Sequence, residues 1–218
     1  MNHYESIYNR LFSEYGPQSW WPADSTFEIM VGAILTQNTA WLNVERALDN
    51  LKSEQLLSAE ALLQKTPDQL APLLKPSGYF NVKAQRLLAF VQWYSEEGEY
   101  ATLKSLKTVV LRKKLLSVKG IGPETADDIL LYAFNRKVFV IDAYTKRIFS
   151  RLDYVEKTTG YEELRECFER TLTLHSVEMF NEYHALIVKH GKDVCKTRPV
   201  CSCCCLNAIC PKFGVKVD

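Results

Sequence analysis

No apolar run in the 218-residue chain approaches the ~20 residues needed to cross a bilayer. The first residues, MNHYESIYNRLFSEYG, carry no basic stretch leading into a long apolar one. Both absences point to a cytosolic protein with no membrane partner. Internal repeats, low-complexity tracts and linker-like segments are also missing. Strand signals are nearly absent: only residues 138–141, Val-Phe-Val-Ile, read as extended, and four residues are too few for a sheet.

What remains reads as helix. Phe27, Met30, Val31, Ile34 and Leu35 recur at helical spacing, and the polar Thr36-Gln37-Asn38-Thr39 separates them from a second helix beginning at Trp41. Amphipathic patterns follow over 58–64, 67–74, 82–94, 103–118, 143–152, 161–174 and 177–190. The expected fold class is therefore all-α, with enough chain for one large domain or two small ones.

The net charge of +1 conceals an imbalance. Residues 103–151 hold eleven Lys and Arg against four Asp and Glu, a local +7, so the rest of the chain is acidic. A basic segment of this kind suits a polyanion, and equally an ordinary solvated helix face.

Six of the seven cysteines lie between Cys195 and Cys210. Such clustering in a cytosolic chain favours a metal site over a disulfide framework. The spacing Cys195-x5-Cys201-x2-Cys204-x5-Cys210 is short enough to wrap an iron–sulfur cubane, with zinc as the alternative. Cys203 and Cys205 allow other registers, and Cys167 falls in a helical pattern as a buried thiol.

Residues 119–124, Lys-Gly-Ile-Gly-Pro-Glu, read as a tight turn entering a helix. Gly120 and Gly122 permit the turn, Ile121 points inward, and Pro123 suits the first helical position. Such a turn can present backbone N–H groups to a phosphate, or simply join two helices. Asp142, at the start of the next helix, reads as an N-cap. Trp20, Trp21 and Trp41 are concentrated early and read as core anchors or as a stacking surface.

Four segments in order carry a resemblance: Ile34 to Thr39, Gly78 to Ala84, the Gly-Ile-Gly-Pro-Glu-Thr-Ala-Asp hairpin followed by Val140-Ile141-Asp142, and His190-Gly191-Lys192 before the cysteines. Together they resemble the endonuclease III superfamily of helix-hairpin-helix DNA glycosylases, most closely its 3-methyladenine branch. The resemblance implies two helical domains flanking a DNA-binding cleft. A six-helix barrel would span 24–133 with its hairpin at 109–134, and residues 1–23 would join 134–218. It implies that Asp142 is the catalytic carboxylate and that Trp20, Trp21, Trp41, Glu124 and Lys192 surround the extruded base. Gln37 would fill the gap in the duplex, and Lys119, Gly120, Gly122 and Thr125 would contact DNA. It further implies a [4Fe-4S] cluster on Cys195, Cys201, Cys204 and Cys210.

Members that also nick DNA place a lysine where this chain has Glu124, so the expected activity is glycosylase alone. The expected substrate is an alkylated purine in double-stranded DNA, handled by a monomer. Rival readings are a glycosylase for oxidised pyrimidines or mismatched bases, a non-catalytic iron–sulfur DNA-binding protein, and an electron carrier.

Overall fold

The computed structural model describes residues 2–215, and among these there are helices and no strands. The first helix, α1 (His3–Tyr15), starts in a capping box: Asn2 accepts from the Glu5 N–H while the Glu5 carboxylate accepts from the Asn2 N–H. Thr66 and Gln69 form the same box at α5 (Pro67–Leu74). Ser25, Ser58 and Ser176 cap α2 (Thr26–Leu35), α4 (Ala59–Leu63) and α12 (Val177–Asp193) through their hydroxyls.

The chain divides into two compact units, one comprising 1–22 and 137–218, the other 23–136. The 23–136 unit is built round α2. Every residue of α2 from Phe27 to Leu35 is buried except Ile29, as expected of a helix apolar on all sides. Around it pack α3 (Trp41–Ser53), α6 (Phe80–Glu96), α9 (Pro123–Asp128) and the π-helical turn Ile129–Ala133 that continues α9. The periodicity predicts one helix over 103–118. Instead α7 (Glu99–Ser105) and α8 (Thr108–Leu116) are separated by extended backbone at Leu106 and Lys107. Arg136 explains the break: Nη2 donates to the Lys104 carbonyl at 2.5 Å and the Leu106 carbonyl at 3.2 Å. Those bonds also place Arg136 with this unit.

In the other unit, α1 and α12 pack together, as do α10 (Ala143–Arg151) and α12. Residues 138–141 are buried and irregular, with no ladder partner. Their role is to deliver Phe139 into an aromatic core. Its ring stacks on Phe168 of α11 (Tyr161–Thr171) at 4.1 Å and meets Phe180 edge-on at 5.4 Å. Tyr4 joins from α1, its ring 4.7 Å from Phe168. No helix among the described residues is long and apolar enough to cross a membrane.

Candidate active site and cysteine pocket

The hairpin lies between α8 and α9. Gly120 alone of its two glycines takes a positive φ, +92°, and a Cβ there would lie 2.4 Å from Arg86 Cγ. Two independent constraints therefore demand glycine at 120. Gly122 is extended, and a Cβ there would meet nothing within 4 Å, so the turn does not require glycine at that position. Ile121 is buried and Pro123 opens the helix, as the sequence predicts. Lys119 and Glu124 are solvent-exposed.

Beneath the hairpin, Asp127 is fully buried and accepts two bonds from Arg112 of α8, at 2.7 and 2.9 Å. This bidentate pair fixes the two hairpin helices against each other. Gln37 is tied to the same structure. Its Nε2 donates to the Gly120 carbonyl at 3.0 Å and to Thr125 Oγ1 at 2.9 Å, and its Oε1 accepts from Arg86 Nη1. Thr125 is buried behind Gln37 rather than displayed at the surface.

Lys83 holds the Gln37 segment from behind. Its buried ammonium donates to the Leu35 carbonyl at 2.8 Å and the Ser77 carbonyl at 2.6 Å, joining the end of α2 to the turn before α6. Burial, with Arg86 adding a smaller push, lowers the Lys83 pKa to about 8. Neither Lys83 nor Arg86 stood out in the sequence, because both act through contacts 48 and 49 residues away.

Asp142 caps α10. Its Oδ1 accepts from the Thr145 N–H at 2.7 Å and the Thr145 hydroxyl at 2.8 Å, while Oδ2 lies 3.7 Å from His184 Nε2. Burial would raise its pKa, but His184 and the two Thr145 donors together outweigh burial and hold the carboxyl below its ordinary value. Asp142 is thus an ionised carboxylate, only 8 % exposed. His184 gave no sequence signal, since a single histidine on an amphipathic helix is common in cores.

Trp20 and Trp21 lie in the segment after α1, half-buried, with ring centroids 5.5 Å apart at 56°. Trp41 is the first residue of α3 in the other unit and is also half-buried. Along the end of α12, His190 is buried, Gly191 lies against Tyr144, and Lys192 is exposed. A Cβ at Gly191 would come within 2.5 Å of the Tyr144 ring, so glycine lets α10 and α12 touch. Arg147 seals that contact by donating to the Gly191 and Cys195 carbonyls, both at 2.8 Å.

The tail after α12 arranges its thiols unevenly. Cys195, Cys201, Cys204 and Cys210 line one pocket with Arg151, whereas Cys203 and Cys205 do not. Cys203 is exposed, and its thiol donates to the Val200 carbonyl at 3.4 Å. Burial pushes the Cys205 thiol up to about 11. Two of the pocket sulfurs receive N–H donors: Cys195 from Arg151 Nη1 at 3.2 Å and Cys210 from the Lys212 N–H at 3.4 Å. Among the described residues no three Cys, His, Asp or Glu are gathered closely enough for a single ion.

A tight glycine hairpin braced by buried charge, and a capped carboxylate eighteen residues beyond Glu124, define a helix-hairpin-helix protein that works on DNA. The HhH-GPD superfamily of base excision DNA repair proteins matches residues 31–173. A chain of Methanocaldococcus jannaschii named as a DNA repair glycosylase is 47% identical over 208 residues, covering 94% of each chain. Endonuclease III of Sulfolobus acidocaldarius is 36% identical, covering 87% of this chain and 83% of its own. The crystal structure of H. pylori 3-methyladenine DNA glycosylase bound to 1,N6-ethenoadenine superposes with a TM-score of 0.75. It is 29% identical and covers 88% of this chain and 98% of its own. The chain belongs to the HhH-GPD superfamily and is a DNA glycosylase of base excision repair.

Proposed function

We propose that this glycosylase is monofunctional and hydrolyses the N-glycosidic bond of an extruded, alkylated purine of the 3-methyladenine type in double-stranded DNA. The observation that carries the reading is Asp142, buried, ionised and held by Thr145 with its second oxygen directed toward His184. As the glycosidic C–N bond breaks, its electron pair goes to the purine. N-alkylation has already made that purine cationic, so it departs neutral without a strong acid. The sugar is left with oxocarbenium character, which a fixed carboxylate stabilises. Water then adds to C1′ and passes its proton to the Asp142 carboxylate, from which it exchanges to solvent.

Trp20, Trp21 and Trp41 supply electron-rich faces, and a cationic base gains cation–π attraction on top of stacking. A structural relative bound to an ethenoadenine supports a modified-purine substrate. Lys119, Gly120 and Gly122 would meet the phosphate backbone, with Gln37 entering the duplex and Thr125 backing it. Lys192, exposed on the last turn of α12, would line the base pocket or contact a phosphate. Glu124 stands where an amine would be needed for strand nicking, so the reaction stops at the abasic site.

Cys195, Cys201, Cys204 and Cys210 would hold a [4Fe-4S] cluster, since four thiols round one pocket, two of them with N–H donors on sulfur, suit it. Such a cluster cross-links the tail and supplies a one-electron couple.

The test is mass spectrometry of bases released from methylated duplex DNA. Release of 3-methyladenine or a related alkylpurine is expected. Release of oxidised pyrimidines from oxidised DNA, with none from methylated DNA, would replace the substrate.

A further inference from the structure

Tyr15 closes α1, and His190 lies near the end of α12, 175 residues along the chain. The Tyr15 hydroxyl is 2.8 Å from His190 Nδ1. On the opposite edge of the ring, Nε2 is 3.5 Å from Cys204 Sγ. The imidazole is fully buried, at 0% exposure. Its ring therefore bridges a phenol and a thiol inside the protein, and nothing in the glycosylase reaction uses it.

We propose that Tyr15 and His190 form a hydrogen-bond relay ending on the Cys204 sulfur, which sets the electron affinity of the cluster held by the four cysteines. The inference rests on the iron–sulfur reading given above. The direction of the relay follows from the ligand. A coordinating thiolate has no proton to give, so the hydrogen between Sγ and Nε2 belongs to the ring. With Nε2 protonated, Nδ1 of the neutral ring carries a lone pair, and the Tyr15 O–H donates to it. Tyr15 thereby fixes both the tautomer and the tilt of the ring, as an outer partner does for a metal-bound histidine. Tyr15 and His190 are positioning residues: neither touches iron or DNA in this scheme.

A donor on a ligand sulfur draws negative charge from it. Reduction adds an electron to the cluster, so the donor favours the reduced form and raises the potential. Arg151 and the Lys212 N–H act similarly on Cys195 and Cys210. His190 differs because it is wholly buried, where a hydrogen bond is electrostatically stronger than at a wetted surface. The relay also ties the tail to α1, whose Glu14 and Arg10 act electrostatically on the Cys205 thiol.

The experiment is voltammetry of the full iron-loaded chain, as wild type, Tyr15→Phe, His190→Leu and the double variant. Iron release to a chelator is measured in parallel. Tyr15→Phe keeps the ring in place and removes only the proton donor to Nδ1. It should lower the midpoint potential and speed iron release, and His190→Leu should do both to a greater extent. In the double variant, Tyr15→Phe should add nothing to His190→Leu, because Tyr15 acts only through the imidazole. Iron-loaded Tyr15→Phe with wild-type potential and release rate would overturn the relay, as would shifts that add in the double variant. Wild-type protein purified anaerobically without iron would end the cluster reading and the relay with it. That failure is seen before any variant is made, so the two are distinguishable.

Discussion

Asp142 divides its work between its two oxygens. Oδ1 takes both bonds from Thr145, the third residue of α10, which lock the side chain, while Oδ2 is turned toward His184. Asparagine at 142 retains an oxygen for the cap and loses the charge. Asp142→Asn should therefore leave lesion-DNA affinity nearly intact and cut single-turnover base release by ~100-fold or more, the scale of one transition-state stabiliser. Retention of most of the wild-type rate would remove Asp142 from the chemistry. The pH behaviour follows from its depressed pKa. The folded value lies below the unfolded one, so the stability Asp142 contributes is present above the ordinary aspartate range and is lost as pH falls through the folded value. With His184→Phe, burial loses its main counterweight, and the acid limb of the pH–rate profile should move to higher pH. An unmoved limb would mean that Thr145 alone sustains the ionised form. The capped aspartate was legible in the sequence, because a carboxylate before an amphipathic helix has a physical reason to be there. His184 was not: its proximity depends on how α12 lies on α10.

At the scale of elements, the legible features were those governed by local rules. Phe27, Met30, Val31, Ile34 and Leu35, read at helical spacing, fell on the buried α2, Pro123 opened α9, and Gly120 took the left-handed turn. Features set from a distance escaped. No glycine or proline marks the break between α7 and α8, because Arg136 imposes it from thirty residues away. Thr125 and Gln37 read as DNA-facing, yet in the protein alone they bond to each other under the hairpin. If Gln37 enters the duplex as proposed, it must leave Thr125, Gly120 and Arg86 and trade three bonds for contacts with bases. The hairpin's rigidity comes from Arg112 and Asp127 instead. Arg112→Met strips the bidentate partner from a fully buried carboxylate and should cost about 3–5 kcal/mol in denaturant unfolding. Replacing both, as Arg112→Met with Asp127→Leu, should recover much of that loss, since the isolated buried charge is what destabilises. If the single variant unfolds within about 1 kcal/mol of wild type, the range of an exposed pair, the hairpin is braced by packing alone.

Across the whole molecule, helical periodicity foretold an all-α chain, and the order of four motifs foretold a glycosylase through their resemblance to the endonuclease III superfamily. In the monofunctional reading proposed above, the chemistry of the product turns on something smaller, a side chain at 124. Strand nicking by a glycosylase needs an amine that attacks C1′ and forms a Schiff base. Glu124 has none, and as an acid in the first turn of α9 it instead complements the helix dipole, worth ~0.3–1 kcal/mol. The resemblance to the endonuclease III superfamily sharpens the question, because it implies a lysine at this position in members that nick. Two of the candidate site residues carry exposed amines, Lys119 in the hairpin and Lys192 at the end of α12. If the reaction is hydrolytic, wild-type protein should leave an intact abasic strand that breaks only after added alkali, and borohydride should trap no protein–DNA crosslink. Glu124→Gln should change neither result, because the side chain has no covalent role. Efficient trapping by wild type would mean that Lys119 or Lys192 supplies the amine. Loss of the crosslink in Lys119→Met or in Lys192→Met would then say which, and water would no longer be the nucleophile.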